Sequence, residues 1–145
     1  MLQILRRFLE QPDTPRDSHS VALASAVLLA EVVRADHKID DRERAAMATA
    51  LNCLPLAVEE IEALIAEAEA TASAANDLQQ FTRVIHERWS ADEKYQLLCN
   101  LWRVAYSSDG LDQYEEHIIR RISDLLYMGH GDFTRSRAQI RAEQR

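Results

Sequence analysis

Two short acidic stretches hold most of the side chains in this chain that could do chemistry. The first, RADHKIDDRERAAM (34–47), crowds Asp36, Asp40, Asp41 and Glu43 around one apolar residue, Ile39. The second, AYSSDGLDQYEEHII (105–119), carries Asp109, Asp112, Glu115 and Glu116. Carboxylates at this density suit a hard divalent cation, since Ca²⁺ takes roughly six to eight oxygen ligands, several of them carboxylate. Neither stretch alone offers enough oxygens or the spacing of an EF-hand. Only the two together could approach a site, with Asp36, Asp40, Glu43, Asp109, Asp112 and Glu116 as the candidate ligands. His37 could bias such a site toward a transition ion, but it reads first as an exposed loop histidine.

Other reaction chemistry has little support. No histidine stands three residues after a glutamate, so the Glu-x-x-His of di-iron bundles is missing. Neither H-E-x-x-H nor a glycine-rich phosphate loop occurs. Cys53 and Cys99 fall within helical patterns and read as small core residues. His86 and His117 read as surface or helix-packing residues, and Trp89 and Trp102 as core anchors. The expectation is a non-enzymatic protein, with a metal-dependent hydrolase or other metalloenzyme using the paired acidic loops as the alternative.

The two acidic stretches are related. Placing LLAEVVRADHKIDDRERAAM (28–47) over NLWRVAYSSDGLDQYEEHII (100–119) sets Ile39 on Leu111, Asp40 on Asp112 and Glu43 on Glu115, at a constant offset of 72 residues. Each half is an apolar helix, a short polar loop, then a helix opening Asp-x-x-Glu. That opening matches the capping box, in which the aspartate accepts from the third helical N–H and the glutamate reaches back. Negative charge there also suits the positive end of the helix dipole. Capping thus explains Asp40, Glu43, Asp112 and Glu115 without any ligand, with Ile39 and Leu111 anchoring each helix start to the core. Asp36, Asp109 and Glu116 are left over, and they are the functional suspects.

The elements that must position these loops are helices. Leu2, Leu5, Phe8 and Leu9 make one apolar stripe on a short first helix, which stops near Pro12 and Pro15. From Asp17 to Ala35 apolar residues cover nearly the whole circumference, marking a central buried helix. A third helix carries Met47, Ala50 and Leu51, and Pro55 interrupts the chain. Ile61, Leu64, Ile65 and Ala68 give the fourth an inward face, with Glu59, Glu60, Glu62, Glu67 and Glu69 turned outward. Leu78, Phe81, Val84 and Ile85 face inward on a fifth. Ser90 and Glu93 form a capping box for a sixth, which buries Leu98, Leu101, Trp102 and Ala105. A seventh carries Ile118, Ile119, Ile122, Leu125 and Leu126, with Gly129 placed to end it. No alternating β pattern appears, so the fold class is all-α: one compact domain over 1–145 of about seven or eight helices, with 129–145 as a basic, solvated C-terminal tail.

Composition agrees. With 145 residues, 47% hydrophobic and 28% charged, the chain is long enough for a real core. Only three Gly and three Pro compete with the helix formers. A net charge of −7 leaves no broad footprint for nucleic acid. Isolated cysteines fit reduced thiols. The apolar run VALASAVLLAEVV (21–33) is too short to span a bilayer, so a soluble cytoplasmic protein is expected.

The pattern A-D-x-x-I-D-x-x-E (35–43), with AYSSDGLDQYEEHIIRRISDLLYM (105–128) later, resembles the TerB-like proteins of the tellurite-resistance family, in particular its small, uncharacterised bacterial branch. The resemblance is strongest over residues 17–128. It implies an all-α fold and two acidic motifs proposed to bind a divalent cation. It also implies stress-response association and protein partners, the same domain beginning a membrane-anchored DnaJ-type co-chaperone. Peripheral membrane association would then come through partners. Carried over residue by residue, the family's acidic positions fall on Asp36 and Glu43, and on Glu115 and Glu116. The second motif departs from the usual order: Ser108 stands where an aspartate is expected, and Asp109-Gly110 follow one residue late. In the first motif His37 replaces the usual glycine.

Overall fold

A computed structural model describes residues 15–33, 39–54, 56–74, 77–107 and 113–144. The helix expected over Leu2–Leu9 lies outside these residues. Within them the chain forms seven helices and no strand: α1 (Pro15–Val33), α2 (Asp41–Leu51), α3 (Val58–Ala74), α4 (Gln79–Arg88), α5 (Ala91–Tyr106), α6 (Gln113–Leu125) and α7 (His130–Glu143). The all-α expectation holds. None of these helices is long and apolar enough to cross a membrane.

α1 and α5 are the central pair, packed on each other. α1 is buried around nearly its whole circumference, from Val21 through Val33 with few breaks, as its unpatterned apolar run requires. α5 buries Leu97, Leu98, Cys99, Leu101, Trp102, Val104 and Ala105. The repeat is realised in the packing. α3 lies on α1 as α7 lies on α5, while α2 crosses onto α5 and α6 crosses onto α1. Exchanging the two units leaves this pattern of neighbours unchanged. The 72-residue offset also fits the helix starts, Asp41 against Gln113 and Val58 against His130. α4 stands outside the two units and packs on α1 and α6.

Three expectations are corrected. The residues read as a solvated basic tail form α7, with Phe133, Ser136 and Ile140 buried against α5. Those three make a sparse stripe among arginines, which charge counting hides. Trp102, fully buried, donates from Nε1 to Ser136 Oγ at 3.1 Å and so ties α7 to the centre. Gly129 does not terminate α6; it is the N-cap residue of α7. α6 ends instead on Tyr127, in the left-handed region at φ 59°. Its N–H donates to Asp124 O at 3.0 Å, and that of Met128 to Ser123 O at 3.0 Å. This is the Schellman pair, formed here without a glycine. Cys99 is buried as expected, but Cys53 sits just past α2 and is exposed.

Candidate functional site

The first acidic loop leads into α2, where the capping box is complete. Asp40 holds an extended conformation (φ −88°, ψ 177°), and its Oδ1 accepts from Glu43 N at 2.8 Å. Glu43 Oε1 accepts from Asp40 N at 3.0 Å. Ile39, half-buried, packs on the core just before the cap. Glu43 itself is 0% exposed. A buried carboxylate is costly unless hydrogen-bonded, so the cap both starts the helix and helps hold this side chain inside.

The second unit has a buried glutamate at the matching position. Glu115 is the third residue of α6, as Glu43 is of α2, and it is 4% exposed. The next residue, Glu116, faces α7, where its Oε1 accepts from Arg137 Nη1 at 2.9 Å. The Arg137 guanidinium also lies 5.6 Å from the Trp102 ring centroid. Tyr114, the residue before Glu115, is 68% exposed.

Of the six candidate ligands, Asp36, Asp109 and Asp112 lie outside the described residues, as do His37, Ser108 and Gly110. Asp40 and Glu43 are brought together, in each other's cap. Glu116 is committed to Arg137. Among the described residues no group of three or more His, Cys, Asp or Glu side chains is placed to hold a metal ion. The described carboxylates therefore do not by themselves make a cation site.

The chain matches the family model described as Tellurite resistance protein TerB over residues 22–138. The chain belongs to the TerB family. The match reaches into α7, so the C-terminal helix is part of the TerB domain rather than an appendage. Neither a curated protein nor a solved structure matches the chain.

Two features of this TerB domain escape sequence reasoning. Lys94, 8% exposed, places Nζ 2.6 Å from His86 Nδ1 and donates to the Leu126 carbonyl at 3.2 Å. With Nζ as donor, His86 accepts on Nδ1 and carries its proton on Nε2. The His86 ring also lies 4.6 Å from that of Tyr127. Lys94 thus satisfies an end carbonyl of a helix 32 residues away, a pairing no local pattern announces. The second feature is a cleft of about 210 Å³ between α1, the end of α2 and the start of α5, lined by Leu29, Leu51, Leu54, Leu97, Trp89 and Cys53.

Proposed function

We propose that this protein is a non-enzymatic, stress-response-associated TerB module that works by protein interaction at the acidic surface of its two loops, with a divalent cation as the loops' small ligand. The observation that best supports a partner surface is Tyr114, a large ring left 68% exposed beside the second loop. Tyrosine combines broad contact area with a polar tip and is enriched where proteins meet. The division of labour among the acids supports the same reading. Asp40 and Glu43 serve the helix start and Glu116 the α7 contact, which leaves Asp36 and Asp109 for a ligand or partner.

The test is a set of thermal melts on wild type, Asp36→Asn and Asp109→Asn, each with and without Ca²⁺. Wild type should gain stability with the ion by mass action, and the variants should lose that gain while melting no lower without it. No shift in the wild type at millimolar ion would remove the cation from the reading. The interaction half stands on separate ground: capture of a partner by the wild type should be lost in Asp36→Asn, Asp109→Asn and Tyr114→Ala. Capture unchanged in all three would overturn it.

A further inference from the structure

The two units differ in what covers one groove. In the second, α4 covers the groove beside α6 and α1, burying Phe81 and Ile85. The last turn of α6 is sealed there, with Ile122 and Leu126 0% exposed. Exchanging the units sends α1 to α5 and α6 to α2, so the matching groove lies against α5 and the end of α2. The apolar cleft occupies that position. Its lining is less well covered than its counterparts 72 residues on: Leu54 is half-buried where Leu126 is buried, and Cys53 is exposed where Leu125 is half-buried. The first unit has a groove with no described helix over it.

The chain supplies an occupant. α1 begins at Pro15 and α5 at Ala91, an offset of 76, because α1 is longer at its start. At that same offset Leu78, Phe81, Val84 and Ile85, the apolar stripe of α4, fall on Leu2, Leu5, Phe8 and Leu9. Every apolar position of the stripe is matched by an apolar residue. Five residues (10–14) separate this stretch from α1, enough chain to span roughly 17 Å when extended.

We propose that residues 2–9 are the first unit's counterpart of α4 and dock as an amphipathic helix in the cleft lined by Leu29, Leu51, Leu54, Leu97 and Trp89, covering Cys53.

Cys53 is a built-in reporter, and Cys99, 0% exposed, is its internal control. In the 145-residue chain, Cys53 should react with a thiol reagent slowly and at a rate independent of protein concentration. Leu5→Asp/Phe8→Asp should speed it by about tenfold or more, as expected when a protecting element opens, with Cys99 still unreactive. Leu5→Met/Phe8→Leu should keep the protection. Equal rates in wild type and the Asp variant would overturn the proposal, as would protection that grows with protein concentration, which means a second copy fills the cleft. A second measurement avoids the folding risk of the charged variant. His86, beside Tyr127, corresponds at offset 76 to Glu10, which should lie near Leu54. In Glu10→Cys a short bis-maleimide should join that thiol to Cys53 within the monomer, and absence of that product would equally overturn the assignment.

Discussion

Replacing Asp40 with alanine should destabilise the protein by about 1–2 kcal/mol, the upper half of the range for losing an N-cap side chain. The magnitude follows from what the cap holds. The 2.8 Å bond from Glu43 N to Asp40 Oδ1 disappears, leaving an N–H of the first turn without its acceptor. The turn that frays carries Glu43, whose fully buried carboxylate depends on helix geometry to reach Asp40 N. Asp40→Asn keeps the acceptor and should lose only the charge–dipole part, about 0.3–1 kcal/mol. Urea unfolding followed by tryptophan fluorescence reads this directly, because Trp102 is 0% exposed in the folded state. The midpoint should fall with little change in slope, and in thermal melts each 1 kcal/mol should correspond to roughly 3–5 °C. The same loss should appear with and without divalent ions. If Asp40→Ala matches wild type within about 0.3 kcal/mol, below the range expected of a lost cap, the capping argument fails. If the loss appears only when Ca²⁺ is present, Asp40 is a ligand and the division of the acids proposed above is wrong.

Ile140→Ala should cost about 2–5 kcal/mol in denaturant unfolding, as for a buried isoleucine in a close-packed core; a cost near zero would mean α7 is not docked on α5. At Tyr127 the pair Tyr127→Ala and Tyr127→Gly isolates the left-handed backbone, since both lose the ring contact with His86. The glycine variant should be the more stable by about 1 kcal/mol, and equal stabilities would contradict the assigned conformation. Hydrogen bonds from Arg103 Nε and Nη2, at 3.1 and 3.0 Å, hold the Glu143 carboxyl below its ordinary value of 4.5. A carboxyl depressed on folding contributes above its unfolded pKa and loses that contribution as pH falls through the folded one. Protection of the amides in the last turn of α7, taken relative to their intrinsic exchange rates, should therefore fall below about pH 4.5, and Arg103→Ala should abolish that dependence. Burial pushes the Cys99 thiol up, so stability should decline as pH rises above the ordinary thiol value of 9.0, where the unfolded chain ionises first. Cys99→Ser should flatten that alkaline limb in denaturant titrations.

Sequence alone determined the local features, because they depend on side chains within one or two turns of each other. The Ser90–Glu93 and Asp40–Glu43 boxes are spacings of three, and both form. The unbroken apolar run over α1 required a buried central helix, and the 72-residue repeat required two similar units. Tertiary structure decided whatever rests on distant partners. α7 looked like a tail because its three arginines outnumber its two large apolar side chains, Phe133 and Ile140; what docks it is Trp102, reaching Ser136 from 34 positions away. Gly129 looked like a helix end because glycine has no Cβ to oppose positive φ, yet Tyr127 takes that conformation beside the His86 ring and two well-placed N–H bonds. Glu116 looked like a spare acid until α7 brought Arg137 to it. The apolar cleft has no sequence signature, since its walls come from three helices and become a surface only when those helices meet. Short-range hydrogen bonding is written in the order of residues, whereas burial and ion pairing belong to the packing of helices that the sequence sets far apart.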